Sequence, residues 1–180
     1  KVTDKDGDWL VSDAGSLVIR VEDDVPVQTS TVVSGQVHED ALTGQSTGNQ
    51  SGESGKVVSA SGFVTGLFTI GADESAVYSL QSITLPDTLT SQGSQLTTSV
   101  VGDTLTAVRV SDGQTVFTLQ VDAVTGSYTF TLVDQLDHPT GSDSSIPSSD
   151  LEQLTIDLSG TLKVTDKDGD WLVSDAGSLV

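Results

Sequence analysis

Asp4-Lys5-Asp6-Gly7-Asp8 sets three carboxylates at alternate positions around a glycine, and the same five residues recur as Asp166-Lys167-Asp168-Gly169-Asp170. Calcium takes roughly six to eight oxygen ligands, and alternate Asp residues folded around a Gly turn can direct several of them inward. The spacing is not that of an EF-hand, because the Gly comes one position early and no Glu follows where the bidentate ligand would sit. The same residues also suit an Asp-Gly hairpin turn with no ion. Three like charges so close are costly without a cation, which favours calcium over the bare turn.

Other acids fall into smaller groups. Asp23-Asp24 stands immediately before Val25-Pro26, and Glu39-Asp40 follows the segment ending at Val37; either pair can supply ligands at a junction between units. Glu39 reads either as a ligand or as a surface acid. Asp137 is a further candidate ligand, whereas His138 beside it is a poor calcium ligand and reads as a turn or packing residue. Asp73-Glu74, Asp112-Gly113, Asp122 and Asp134 lie at expected strand ends, where a turn is explanation enough.

Catalytic patterns carry less. Gly44-Gln45-Ser46-Thr47-Gly48 fits G-x-S-x-G, but that motif needs a sharp strand-to-helix turn and here sits in a Gly/Ser/Gln-rich stretch with no helix to follow. With no Cys in the chain, thiol nucleophiles, thiolate metal sites and disulfides are excluded. No matched acid, base and nucleophile emerge, and the chain reads as a non-enzyme. Asn49-Gln50-Ser51 is a formal glycosylation sequon, meaningful only in a eukaryotic secretory context.

Formal charge is −19, from 26 acidic against 7 basic residues. Nucleic acid and anionic membranes are poor partners for such a surface, since binding them requires Lys and Arg. A cation is the natural partner, and scattered acids also keep a surface solvated. No apolar run approaches the roughly 20 residues that cross a bilayer.

The elements that must position the acids are strands. Ser, Thr, Gly, Val and Asp are prominent and helix formers scarce, which is β composition. Phe117, Leu119 and Val121 alternate with Thr118 and Gln120, and Tyr128, Phe130 and Leu132 alternate with Thr129 and Thr131. Ala123-Val124-Thr125-Gly126 between them makes the pair a hairpin. Further strands are expected in Trp9 to Val21, Thr31 to Val37, Phe63 to Ile70, Val77 to Leu85, Thr104 to Val110 and Leu151 to Val164, with loops at Thr43 to Gly55 and His138 to Ser149. Nine or ten such strands predict an all-β, immunoglobulin-like antiparallel sandwich. Trp9 and Trp171, each following an acidic loop and alternating with a Val, are expected to pack in the core or at a junction.

Lys1 to Val18 and Lys163 to Val180 are identical at all 18 positions. A period of 162 residues is too long for a solenoid, so each period holds a whole domain of a tandem array. The boundary is expected near Asp24. Residues 1–24 then finish a preceding unit or supply first strands, and 25–180 form one unit lacking its final Ile-Arg-Val-Glu-Asp-Asp. The expected partners are adjacent copies in the same chain and calcium, with the chain itself a monomer.

V-T-D-K-D-G-D near the unit's end, V-E-D-D-V-P-V at the junction, V-H-E-D-A-L-T-G near its start, T-S-Q-G at Thr90 to Gly93, and Y-T-F-T-L…L-D-H-P at Tyr128 to Pro139 together resemble the T1SS-143-like repeats of large RTX-type, type I-secreted bacterial adhesins. The resemblance implies export through a C-terminal signal elsewhere, a place at the extracellular cell surface, and a role as a calcium-stiffened extender holding a ligand-binding region away from the cell in adhesion or biofilm. The G-G-x-G-x-D nonapeptides of the RTX β-roll do not occur here. A binding module recognising a glycan or host protein through its loops is the alternative expectation.

Overall fold

Alternating side chains on a pleated backbone can bury every second residue, as Leu105, Ala107 and Arg109 are buried along Thr104–Arg109. The computed structural model describes residues 1–43, 56–72, 75–138 and 154–180. Its strands are β1 Val2–Thr3, β2 Trp9–Leu10, β3 Val27–Gln28, β4 Ser59–Phe63, β5 Phe68–Thr69, β6 Val77–Leu80, β7 Thr90–Ser91, β8 Ser94–Val101, β9 Thr104–Arg109, β10 Thr115–Val121, β11 Ser127–Leu132, β12 Leu162–Thr165 and β13 Trp171–Val173. Three single turns of 3-10 helix are the only helical elements among the described residues.

Six strands form one antiparallel sheet in the order β4-β11-β10-β9-β8-β7, and three form a second in the order β13-β12-β6. Leu105, Phe117 and Leu119 from the first and Tyr78, Leu162 and Val164 from the second belong to one buried cluster. The two sheets thus enclose a single core, the all-β antiparallel sandwich that the alternation predicts. Short strands β3 and β5 pair beside it, and β1 and β2 form a separate hairpin.

The expected hairpin is β10–β11, with Phe117 opposite Leu132, Leu119 opposite Phe130 and Val121 opposite Tyr128. Its turn is held by Asp122, whose carboxylate accepts the Val124 and Thr125 N–H groups at 3.0 and 2.7 Å. Gly126 is required there twice over: its φ is +64°, and a Cβ would meet Thr65 at 2.8 Å and Tyr78 at 3.0 Å. At the other end of β10 the register shifts between Thr115 and Phe117, and Val116 and Phe117 are both fully buried. A bulge allows this, since two adjacent side chains otherwise point to opposite faces.

β9 carries an inward charge. Leu105, Ala107 and Arg109 share the buried face, and Arg109 bonds Asp134 through Nη1 at 2.5 Å and Asp112 through Nη2 and Nε at 3.1 and 3.2 Å. Its Nη1 also reaches Ser91 Oγ at 3.3 Å. Asp112 is held below the usual carboxylate range, first by that Arg109 bond and next by the Gln114 N–H. Asp122 is held low by its Thr125 and Val124 bonds.

These depressed carboxyls contribute to the stability that the fold loses in acid. A carboxyl whose folded pKa lies below its unfolded value contributes stability above the unfolded value, near 4, and loses it as pH falls through the folded one. In chelator, the melting temperature is expected to stay level from about pH 7 to 5 and to drop progressively below about pH 4. Calorimetry across that range checks it; a melting temperature that rose on acidification would show the opposite sign of linkage.

Candidate metal centre

The acidic loop builds itself from local bonds. After β12, Asp166 Oδ1 accepts the Gly169 and Asp170 N–H groups at 3.0 and 2.8 Å, and the Asp166 N–H closes the hairpin on the Asp170 carbonyl at 2.9 Å. Gly169 sits at φ +111°, a conformation that a side chain would strain. The first copy repeats the arrangement: Asp4 Oδ1 accepts Gly7 and Asp8 N–H at 3.0 and 2.8 Å, and Gly7 has φ +104°. Two copies in unlike surroundings thus adopt one loop, whose shape follows from its own residues.

What differs is which carboxylates converge. In the first copy Asp4, Asp6 and Asp8 each bring an oxygen within 4.8 Å of the others. Asp4 is held below its ordinary value, first by a hydrogen bond shared with the Asp6 side chain and then by the Asp8 and Gly7 N–H groups. In the second copy the converging group is Asp168, Asp170 and Asp23, again within 4.8 Å, so a residue from the start of the domain meets the loop near its end. Asp166 is buried beneath that loop, and its Oδ2 has no hydrogen-bond partner among the described residues. A buried carboxylate oxygen without a donor calls for a water or a cation.

Asp24 fixes the approach of Asp23. Its Oδ2 accepts the Ala72 N–H at 3.0 Å, and it lies so close to Gly71 that a Cβ there would come within 2.5 Å of that oxygen. Asp24 thus holds the linker against the Gly71-Ala72 turn while its neighbour meets the loop. The remaining candidates are engaged elsewhere. Glu39 Oε1 accepts the Leu136 N–H at 2.6 Å and lies 3.6 Å from His138 Nε2. Asp40 pairs with Lys56 at 2.5 Å. Asp137 accepts the Gln92 and Gly93 N–H groups at 2.9 and 2.7 Å, and the Gly93 bond leads the causes that hold its carboxyl low. Gln92 and Gly93 both have positive φ, so Asp137 caps the tight turn between β7 and β8.

The tryptophans do not enter the core. Trp9 and Trp171 are 62% and 61% exposed, because their registers opposite Thr3 and Thr165 turn both rings outward. Each carries a lysine over its face, Lys1 at 4.9 Å and Lys163 at 4.8 Å from the ring centre. Thr43 to Gly55, apart from Thr43, lies outside the described residues, as do the Ser46 motif, the Asn49 sequon, Asp73-Glu74 and all but His138 of the His138 to Ser149 stretch.

A family model described as a domain of unknown function, DUF5801, matches residues 22–176. The chain belongs to this family. The DUF5801 match takes in Asp23, Asp168 and Asp170 together, and it leaves the first hairpin outside. No curated protein and no solved structure matches the chain.

The donor set of the DUF5801 domain suits a hard divalent cation. Three carboxylates offer up to six oxygens, with no sulfur or imidazole among them, which is the chemistry calcium prefers and which softer metals do not need. Asp23, Asp168 and Asp170 would hold the ion directly, and Asp166 and Gly169 would hold the loop in shape beneath it.

Proposed function

We propose that this DUF5801 domain is a calcium-stabilised structural extender, one unit of a tandem array in a large RTX-type bacterial surface adhesin exported by type I secretion. It carries no catalysis. The observation that supports this reading most is the convergence of Asp23 with Asp168 and Asp170. An ion there would tie the entering linker to the hairpin loop of the same unit and fix the direction in which the chain enters. Without it, three like charges repel and the linker loses that restraint. The exact repeat of 18 residues and the charge of −19 fit an array whose units repel one another unless cations neutralise them.

The test is a chain of two consecutive 162-residue units studied by small-angle X-ray scattering. In excess calcium it is expected to give one well-defined maximum dimension, and in chelator a broad distribution of lower mean. Asp23→Asn should bring the calcium profile close to the chelator profile. Equal profiles in both conditions would remove calcium from the reading, and a fixed dimension without it would leave a rigid acidic spacer.

A further inference from the structure

Every named strand pair among the described residues is antiparallel, and the single parallel contact is Val33 beside Leu179. It joins a segment near the entry of the chain into the domain to the segment that ends its last hairpin. The Val33 N–H donates to the Ser178 carbonyl at 2.8 Å, the Val180 N–H to the Val33 carbonyl at 3.0 Å, and the Gly35 N–H to the Val180 carbonyl at 3.1 Å. The other side of the same tail is held as well. The Leu158 N–H donates to the Leu179 carbonyl at 2.9 Å, the Leu179 N–H to Ser159 Oγ at 2.9 Å, and the Gly177 N–H to Asp157 at 3.0 Å. Residues 177–180 thus carry six bonds to two other segments, and the Leu179 side chain is buried in the core.

Strand direction decides how such a pair fails under tension. In an antiparallel pair, the incoming end of one strand lies beside the outgoing end of the other, so a stretched chain peels the bonds apart one after another. In a parallel pair those two ends lie at opposite extremes. Tension then draws 33–35 toward its N-terminal side and 178–180 toward its C-terminal side, in opposite directions along one line. We propose that this contact is a mechanical clamp: stretching the chain shears it, so its three bonds are loaded together and the domain opens only when all of them give way. The benefit of such a clamp rests on the extender reading, since a spacer is drawn taut by whatever it holds. The clamp itself follows from strand direction and needs no metal. Resistance to force follows the unfolding barrier along the pulled direction, so a melting temperature does not report it.

The chain has no Cys, so introduced cysteines give unique handles for optical tweezers. In excess chelator, the full chain is pulled by a cysteine added after Val180 against a handle at Val32→Cys or at Gln36→Cys, two exposed positions on either side of the contact. From Val32 the clamp is sheared; from Gln36 it is peeled. Shearing is expected to need about three times the force of peeling, because three bonds share the load in one case and each bears it alone in the other. Val180→Pro removes the N–H that bonds Val33, and is expected to lower the force from Val32. The same substitution should leave unchanged the force between handles at Val101→Cys and Val124→Cys, exposed positions beside the β8–β9 and β10–β11 turns that pull on neither side of the clamp. Equal forces from Val32 and Gln36 would overturn the proposal, and this comparison keeps every clamp residue in place, so it decides even where Val180→Pro does not fold. A Val180→Pro loss of equal size in both pulling directions would also overturn it, by making Val180 a contributor to overall stability alone. A two-unit chain indifferent to calcium would remove the extender reading and leave these forces as they are.

Discussion

In excess calcium the chain is expected to melt about 5–11 °C above its melting temperature in excess chelator, with magnesium giving much less. An ion that binds only the folded state adds about 2.7 kcal/mol at a free concentration 100 times its dissociation constant. For a domain of this size each kcal/mol moves the midpoint by roughly 2–4 °C. Magnesium demands near-octahedral geometry at short distances and sheds water reluctantly, so a loosely arranged carboxylate group on a loop and a linker selects against it. Asp168→Asn, Asp170→Asn and Asp23→Asn are each expected to remove most of the calcium increment. Asp6→Asn and Asp8→Asn serve as controls: they alter the first loop, which among the described residues converges with no carboxylate outside itself, and should leave the main transition in place. A calcium rise that survived Asp23→Asn but not Asp168→Asn would show that the loop alone holds the ion. The linker would then be unrestrained, and the extender reading would lose its mechanism. Trp171 follows the second loop directly and Trp9 the first, so replacing one at a time lets fluorescence assign the ion to a loop.

The parts of this fold legible in the sequence are those where one face is apolar and the other polar. β10 and β11 show that alternation, and their pairing follows it. β8 is the longest strand and does not, because Ser94, Gln95, Thr97, Thr98 and Ser99 leave Leu96 as its one buried residue. It is fixed by backbone pairing to β7 and β9 on its two sides, and backbone bonds leave no mark on residue type. Thr31 to Val37 has strand composition but contributes a single parallel bridge, Val33 to Leu179, since its partner is the last turn of the chain. Phe63 to Ile70 is broken where Val64 turns helical and Thr65–Leu67 form a 3-10 turn, which drops Val64 and Leu67 into the core.

The candidate site divides the same way. The Asp-Gly loops were legible because their geometry is local. That Asp23 meets the second loop and not the first could not be read, since the two loops are letter for letter the same and only tertiary placement separates them. Arg109 was missed although its signal was present: it continues the inward series Leu105, Ala107 two residues on, followed by the Asp112-Gly113 turn that supplies its carboxylate.

The identity of the two hairpins makes a controlled stability experiment possible, one in which residue type and neighbouring sequence are held constant and only burial changes. Leu179→Ala is expected to lower stability by about 2–4 kcal/mol, the cost of lost apolar burial plus an incompletely filled space, or roughly 4–16 °C in melting temperature. Leu17→Ala, the same substitution in the same local sequence, is expected to shift stability by less than about 0.5 kcal/mol. Local sequence contributes little to the difference, because every residue from Lys1 to Val18 has its identical counterpart from Lys163 to Val180, in the folded and the unfolded state alike. The difference therefore measures what docking of Leu179 beside Val33, Leu158 and Ser159 contributes. Comparable losses at both positions would mean that the first hairpin is also buried in solution.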